Sequence, residues 1–579
     1  MAFGYHGRYL RVDVSSGEAG PVPLRDDLLR QYIGGSGLGT RLLMDEGGAL
    51  AHPLSAEAPI VFAFSPLVGT PLTTSAKFAV VCRSPLTERV NDALAGSGFA
   101  IAAKSCGCDA IVIVGRAPQL SVLVIDDGAV RLEPAEDLHG DACSLVEAKL
   151  RAKLGTQYRI AAIGPAGERC VRYATISHDS RHAGRGGTGA VLGSKNIKAV
   201  AVRGARQCEW ADARELTQLS RDMSARSFGP ATAKYRELGT ATNLLTLNRF
   251  GALPTRNFQR GTFERAASFA PAELSARYPR VRASCVACTI GCQHLYELDH
   301  AAVRVEYESL FALGSLCGVA DPAAVLRASS LCDELGIDTI STGGTIAFAM
   351  ECVERGLLDQ RWLTFGSGDA VLKAIDLIGR REGLGDLLAD GSRRAAMAIG
   401  QGSIAFAPQV KGLEIPGYDP RALQTMALGF AVGARGADHN RSGAYEVDFS
   451  DKVDRRHATL DSVRYAIETE DRAALMDSLI LCKFLRGVFT DFYSESAAML
   501  RAVTGWDVTA GELRDTARRI IAAKREFNLR AGWTPQEDTL PERFLGTTLP
   551  GDPAALLTAN ALQELVTEYH RQRGWTTGE

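Results

Sequence analysis

Cys285-Val286-Ala287-Cys288-Thr289-Ile290-Gly291-Cys292 puts three thiols in one short stretch, and what such a triplet binds decides what kind of fold surrounds it. Thiolates this close can face one centre, and soft sulfur ligation selects zinc or an iron–sulfur cluster. Zinc ligands usually come as two close pairs. Here a tight triplet stands with a distant single, Cys482, so the spacing favours a cluster over zinc. Gly291 and the polar flanks Ser284 and Gln293 predict an exposed turn, which weighs against three thiols buried without metal.

The other cysteines behave differently. There are 13 in all, an odd number, and most are scattered singly, which suits reduced thiols packed as small apolar groups and not a disulfide framework. Cys106 and Cys108 lie in an apolar segment beside Gly107 and read as core packing. A formal net charge of −2 with dispersed basic residues gives no field to gather nucleic acid or anionic lipid. The N-terminal stretch lacks a basic region followed by an apolar core, and no stretch of about 20 apolar residues could span a bilayer. A cytoplasmic protein is expected.

From Tyr9 to about Arg203 short β-branched runs alternate with Gly and Pro: Leu10–Val14, Ile60–Phe64, Phe78–Cys82, Ala110–Val114, Leu120–Ile125, Ile160–Ile163 and Ala199–Val202. After Ala205 the pattern turns helical, with apolar residues at three- and four-residue spacing in Arg214–Arg226, Ala323–Leu335, Thr345–Arg355, Ala370–Arg381, Asp461–Phe484 and Leu513–Phe527. The Pro/Gly-rich stretch from Pro408 to Pro420 predicts a division between two helical lobes. The expected fold class is α+β: a β-rich domain over residues 1–206, then helical domains over 207–409 and 410–579.

Two Gly-rich stretches interrupt the β-rich part, Gly34–Gly39 and Gly184–Gly189. The second satisfies G-x-G-x-x-G, yet the polar run Ser177–His182 before it does not read as a strand and no acidic residue follows about 20 positions on, so dinucleotide binding is rejected. Gly193-Ser194-Lys195 fails the P-loop pattern. Two readings remain: a solvated turn, or an anion cradle helped by Arg181, Arg185, Lys195 and Lys198. One repeat stands out, Asp333-Glu334-Leu335-Gly336-Ile337-Asp338 against Asp477-Ser478-Leu479-Ile480-Leu481-Cys482, and its second copy ends on the isolated cysteine.

Taken together these residues resemble the aldehyde ferredoxin oxidoreductase family. The resemblance runs nearly end to end: Gly7-Arg8-Tyr9-Leu10, Gly34-Gly35-Ser36-Gly37, Ser84-Pro85-Leu86-Thr87, Ile163-Gly164-Pro165-Ala166-Gly167-Glu168, Gly184-Arg185-Gly186-Gly187, the cysteine triplet, Glu306-Tyr307-Glu308-Ser309, Cys332-Asp333-Glu334-Leu335-Gly336, Asn528-Leu529-Arg530-Ala531-Gly532 and Asp538-Thr539-Leu540-Pro541-Glu542. It implies tungsten or molybdenum held between two pyranopterins resting on the β-rich domain, beside a [4Fe–4S] cluster on Cys285, Cys288, Cys292 and Cys482. Asp333 and Asp477 would each hold one pterin, with Asp338 and Leu481 beside them, since a carboxylate can accept two N–H bonds from an aminopyrimidine edge. Lys77, Arg181, His182, Arg185 and Arg441 are further implied cofactor contacts.

The family's active-site carboxylate falls on Glu308 and its histidine on His439, implying that Glu308 takes a proton while His439 polarises an aldehyde carbonyl on the way to a carboxylic acid. Ferredoxin or a small iron–sulfur subunit would accept the electrons. Departures are visible. Lys77 stands where an Arg is frequent, Leu94 replaces an Asn associated with magnesium bridging the pterin phosphates, and Ile480 replaces a Gly. Arg327 and Ser330 replace an intersubunit metal motif, so dimerisation of that kind is not assumed. Two rivals stand beside aldehyde oxidation: a reductive or non-aldehyde reaction with the same cofactor, such as aromatic acyl-thioester reduction, and an electron-transfer subunit without a working pterin site.

Overall fold

The computed structural model describes residues 3–575, so the outer ends of the first and third expected domains lie outside it. The N-terminal part contains two six-stranded sheets. The first runs in spatial order Ala19–Pro23, Arg8–Asp13, Ala110–Val114, Ile60–Ala63, Lys77–Arg83, Val90–Gly96. The second runs Arg181–Ala183, Ile176–His178, Arg159–Ala162, Ile197–Arg203, Ser121–Asp126, Ala129–Pro134. Alternate residues of both sheets, among them Leu10, Phe62, Phe78, Ile111, Leu123, Ala161 and Val200, share one core. Their neighbours in sequence point the other way, Val61, Ala79 and Val112 against the helices Gly35–Asp45 and Ala510–Arg530, and Val122, Ile160 and Ala199 against the helix Cys143–Leu154. Burial on both faces explains why these strands read as continuous apolar runs.

Three elements depart from the pattern-based expectation. Gly34–Gly39 is no simple interruption: Gly35 opens the helix Gly35–Asp45, and the glycines are needed for close approach, a Cβ on Gly34 lying 2.5 Å from the Phe64 carbonyl and one on Gly39 lying 2.5 Å from Val81. Arg280–Ala283, Gln293–Leu298 and Ala301–Val305 form a three-stranded antiparallel sheet inside the region read as helical. The cysteine triplet is the loop of its first hairpin. The stretch Ser177–His182, read as no strand, is a hairpin in which Ile176–His178 pairs with Arg181–Ala183 through Asp179 and Ser180, both at positive φ. All its pairings are antiparallel, so the parallel βαβ unit of a dinucleotide fold is not formed there.

The Pro408–Pro420 stretch is buried and not an exposed linker; one continuous apolar cluster includes Val410, Leu413 and Ile415 together with residues from both helical parts. The repeated motif has the same backbone in both copies. The helix Pro322–Leu335 ends at Gly336 (φ 72) and the helix Leu460–Leu479 at Ile480 (φ 64), with Ile337 N–H bonded to Cys332 O and Leu481 N–H to Met476 O, each at 2.9 Å. Reading a helix through to Phe484 therefore overshoots by five residues, the first of them left-handed. A β-branched residue there costs about 1–2 kcal/mol, but the Ile480 side chain is fully buried beside Leu38 and Ile520, worth about 1.5–3 kcal/mol. Packing outweighs strain.

Each copy is seated on a glycine of the sheet domain. A Cβ on Gly164 would stand 2.3 Å from Leu335 O, and one on Gly35 (φ 43) 2.3 Å from Asp477 O. Gly35→Ala is accordingly expected to destabilise the fold by about 2–5 kcal/mol, combining positive-φ strain with overpacking, as read from the urea midpoint. An unchanged midpoint would show that the helix end has room to retreat.

Candidate active site

A cavity of about 660 Å³ lies between the ends of the sheets and the helical part. Lys77, Arg181, His182, Arg185, Cys292, Glu308, Asp333, Asp338, His439, Arg441, Asp477, Leu481 and Cys482 all line it. Sequence separations of hundreds of residues thus close onto one space. Arg181 and His182 arrive on the hairpin that the sequence hid. Lys195 and Lys198 do not reach it: Lys195 Nζ donates to Ala56 O and Gly115 O, and Lys198 pairs with Glu168. Nor is Gly184–Gly189 a solvated turn, because a Cβ on Gly187 would lie 2.2 Å from Arg172 O and one on Gly189 2.3 Å from Thr175 O. Those glycines serve backbone packing, and only Arg181 and Arg185 carry the anion-binding expectation forward.

The thiols are gathered by Thr73 and Thr74, a segment that carries no motif of its own. Thr74 donates its backbone N–H to Ala287 O and accepts the Cys482 N–H on Oγ1 at 3.2 Å, while Thr73 Oγ1 takes the Thr289 N–H at 3.1 Å. One threonine therefore touches both the triplet and the fourth cysteine. Gly96, paired with Lys77 across the strand ends, leaves room for Cys285, whose Sγ would be 3.5 Å from a Cβ at that position. Burial works against the Lys77 ammonium and the Arg181 guanidinium, but the thiols around them, Cys482 and Cys285 foremost for Lys77 and Cys285 foremost for Arg181, outweigh it and hold both above their ordinary pKa ranges. Among the described residues no three Cys, His, Asp or Glu side chains converge as ligands of a single ion would.

Asp333 receives His182 Nε2 at 3.2 Å and Arg304 at 3.3 Å. Asp477 receives Lys483 Nζ at 2.8 Å and Arg441 at 3.3 Å. Asp338 lines the cavity as well, and its carboxylate caps the helix Thr339–Glu354 by accepting Ile340 N–H and Ser341 N–H, each at 3.2 Å, while holding Arg185 Nε at 3.2 Å. Sequence reasoning missed Asp92, the anion beneath the site. It is fully buried, takes Lys524 Nζ at 2.9 Å and Arg441 Nε at 3.1 Å, and its backbone carbonyl accepts from both Arg435 and Arg441. A charged residue in the middle of the buried strand Val90–Gly96 was the available signal.

Eight Lys and Arg line the cavity against six Asp and Glu, and buried polar atoms there lack hydrogen-bond partners: Arg435 Nε and Nη2, Glu308 Oε1 and His439 Nδ1. Unmet donors and acceptors in a cation-rich cavity fit a large anionic cofactor rich in hydrogen-bonding edges.

Glu308 lies in the first turn of the helix Tyr307–Leu313, and His439 begins the short helix His439–Ser442, which Asp438 caps. Their nearest atoms, Oε1 and Nε2, are 3.4 Å apart. The other Glu308 oxygen accepts the Gly417 N–H at 3.1 Å, and Asn440 Nδ2 sits 2.9 Å from His439 Nε2. Burial pushes the Glu308 carboxyl up to about 8, only partly opposed by the Gly417 N–H and Arg185. Burial pushes His439 down to about 3 against the pull of Asp438. At neutral pH the pair is a neutral acid beside a neutral imidazole, so Glu308 holds its proton at rest and becomes an acceptor as pH rises toward 8.

Fold and site together are those of an oxidoreductase. The family description "Aldehyde ferredoxin oxidoreductase, N-terminal domain" matches residues 9–204 and "Aldehyde ferredoxin oxidoreductase, domains 2 & 3" matches residues 218–579, and the chain belongs to the aldehyde ferredoxin oxidoreductase family. It is 36% identical to the tungsten-containing aldehyde ferredoxin oxidoreductase of Pyrococcus furiosus, the match covering 99% of this chain and 97% of that protein. The corresponding Thermococcus kodakarensis enzyme is also 36% identical, with 99% and 97% covered. The WOR-like subunit of aliphatic sulfonate oxidoreductase from Pyrococcus furiosus is 28% identical, with 99% and 95% covered. Among solved structures, the active-site complex BamBC of benzoyl coenzyme A reductase with 1,5-dienoyl-CoA superposes with a TM-score of 0.85 at 22% identity, covering 100% of this chain and 95% of that one, which establishes the shared fold.

Proposed function

We propose that this chain oxidises aldehydes to carboxylic acids at a tungsten or molybdenum bis-pyranopterin centre, working in the cytoplasm with ferredoxin or a small iron–sulfur subunit as electron acceptor. The observation that carries the reading is that the Glu308–His439 pair opens onto the same cavity as Asp333 and Asp477 and is bordered there by Cys292 and Cys482. The chain's free cysteines suit a reducing compartment. Among the described residues no single helix is long and apolar enough to cross a membrane.

Asp333, Asp477 and Arg441 would hold the pterins, with Lys77, Arg181, His182 and Arg185 toward their phosphates and edges, and Cys285, Cys288, Cys292 and Cys482 would hold the cluster. Leu94 lines the cavity without offering a ligand, so a magnesium there would depend on backbone carbonyl and phosphate oxygens. The bound centre supplies two-electron redox chemistry, and the cluster a one-electron exit. Overall, aldehyde and one water give the carboxylic acid, two protons and two electrons. His439, neutral and fixed by Asn440, orients the carbonyl. Glu308, when ionised, accepts a proton released in forming the acid.

Protein purified anaerobically from a host supplied with tungstate and molybdate is expected to contain one of those metals and about four irons per chain, and to reduce a viologen dye with aldehydes. Cys482→Ser is expected to lose most of the iron and the dye reduction. Full iron content in that variant would remove Cys482 from the ligand set. Metal without aldehyde turnover, but with acyl-thioester reduction, would select the reductive rival; neither tungsten nor molybdenum would select the electron-transfer rival.

A further inference from the structure

We infer that the substrates this site prefers are aryl and arylalkyl aldehydes, guided by an aromatic wall that runs from the surface to the reacting pair. The inference rests on the aldehyde-oxidation reading and specifies its substrate class. At the cavity's mouth Phe250 and Phe449, each 40% exposed, face one another at 5.5 Å between ring centroids. Phe449 follows the one-turn helix that begins at Tyr445, and Tyr445 stacks on Tyr418 at 5.0 Å. Tyr418 in turn lies 5.1 Å from the His439 ring and 6.0 Å from Tyr307, the residue before Glu308.

Two of the three tyrosine hydroxyls are tied back into the protein. Tyr307 OH donates to Gly417 O, and Tyr445 OH accepts from Arg486 at 2.6 Å. What Tyr307 and Tyr445 offer the lumen is ring surface. Phe250 and Phe449 are exposed as a facing pair that lines the cavity, not as scattered single rings. A planar aryl group can lie against this wall in offset or edge contacts, each worth roughly 2- to 12-fold in binding. A short alkyl aldehyde makes none of them.

In the metal-loaded enzyme, kcat/KM for benzaldehyde and phenylacetaldehyde is expected to exceed that for acetaldehyde by at least about tenfold, from two or more ring contacts. Phe250→Ala and Phe449→Ala, both at partly exposed positions where folding is little affected, are each expected to lower that aryl-to-alkyl ratio several-fold, mainly through KM. Equilibrium titration of the same protein with benzoate and acetate is expected to show the same order of affinity and the same loss in the variants. Equal ratios for aryl and alkyl aldehydes, or ratios unmoved by either substitution, would overturn the inference while leaving aldehyde oxidation standing. If no aldehyde turns over, the proposed function fails, and the carboxylate titrations still decide whether the wall selects aryl groups.

Discussion

Asp92→Asn is expected to lower stability by about 3–5 kcal/mol, the range for removing one partner from a buried ion network. Burial alone would raise the Asp92 pKa, but Arg441, Lys524 and Arg435 outweigh it and hold the carboxyl far below the usual carboxylate range. Asparagine keeps the shape and the backbone carbonyl yet leaves these cations without their shared anion. A carboxylate with a depressed folded-state pKa contributes stability that is present above its unfolded value, near 3.9, and lost as pH falls below it. The deficit measured by urea unfolding should therefore be constant between pH 6 and 8. A loss under about 1 kcal/mol would mean that water already satisfies these cations. A metal-loaded variant that folds but binds its cofactor weakly would show that Asp92 also fixes Arg441 against Asp477.

Glu308→Gln is expected to cut turnover by about 10²–10⁴-fold, the span for loss of a general base, with tungsten, molybdenum and iron contents unchanged. In the wild type the rate should climb with pH to a plateau past about 8, because Glu308 must ionise before it can accept a proton. That rising limb should vanish in the variant. Stability gives a second, independent reading. The folded state keeps on Glu308 a proton that the unfolded chain releases above about 4.3, so the native state loses stability as pH rises from there through about 8. Glutamine has no such dependence. The melting temperature of the variant should match the wild type near pH 4 and exceed it increasingly toward pH 8. Undiminished turnover in a fully loaded variant would remove Glu308 from proton transfer.

Much of this architecture was legible because it is written in local pattern. The buried strands announce themselves as unbroken β-branched runs, and the cysteine spacing marks Cys285, Cys288 and Cys292 as one group without any tertiary information. The six-residue repeat proved to be two helix ends with one geometry, Gly336 and Ile480 both left-handed. The misses have physical causes. Ser177–His182 looked polar because a hairpin at a cavity edge turns Arg181 and His182 toward the cavity, where charge is wanted. The strands at 280–305 were submerged in a helical neighbourhood. Thr73, Thr74 and Asp92 act through partners distant in the chain, most of them hundreds of residues away, so no window of the chain contains their meaning.

The bond from Thr74 to Cys482 bears on how the protein is made. Three thiols leave the ribosome together, but the fourth lies nearly two hundred residues later and reaches them only when the end of the helix Leu460–Leu479 has docked on the sheet domain. The complete set of four thiols therefore belongs to a finished chain and not to a nascent one. With the proposed cluster on these thiols, iron delivery would be timed by folding: a truncated or misdocked chain presents an open triplet and is chemically distinguishable from a finished one.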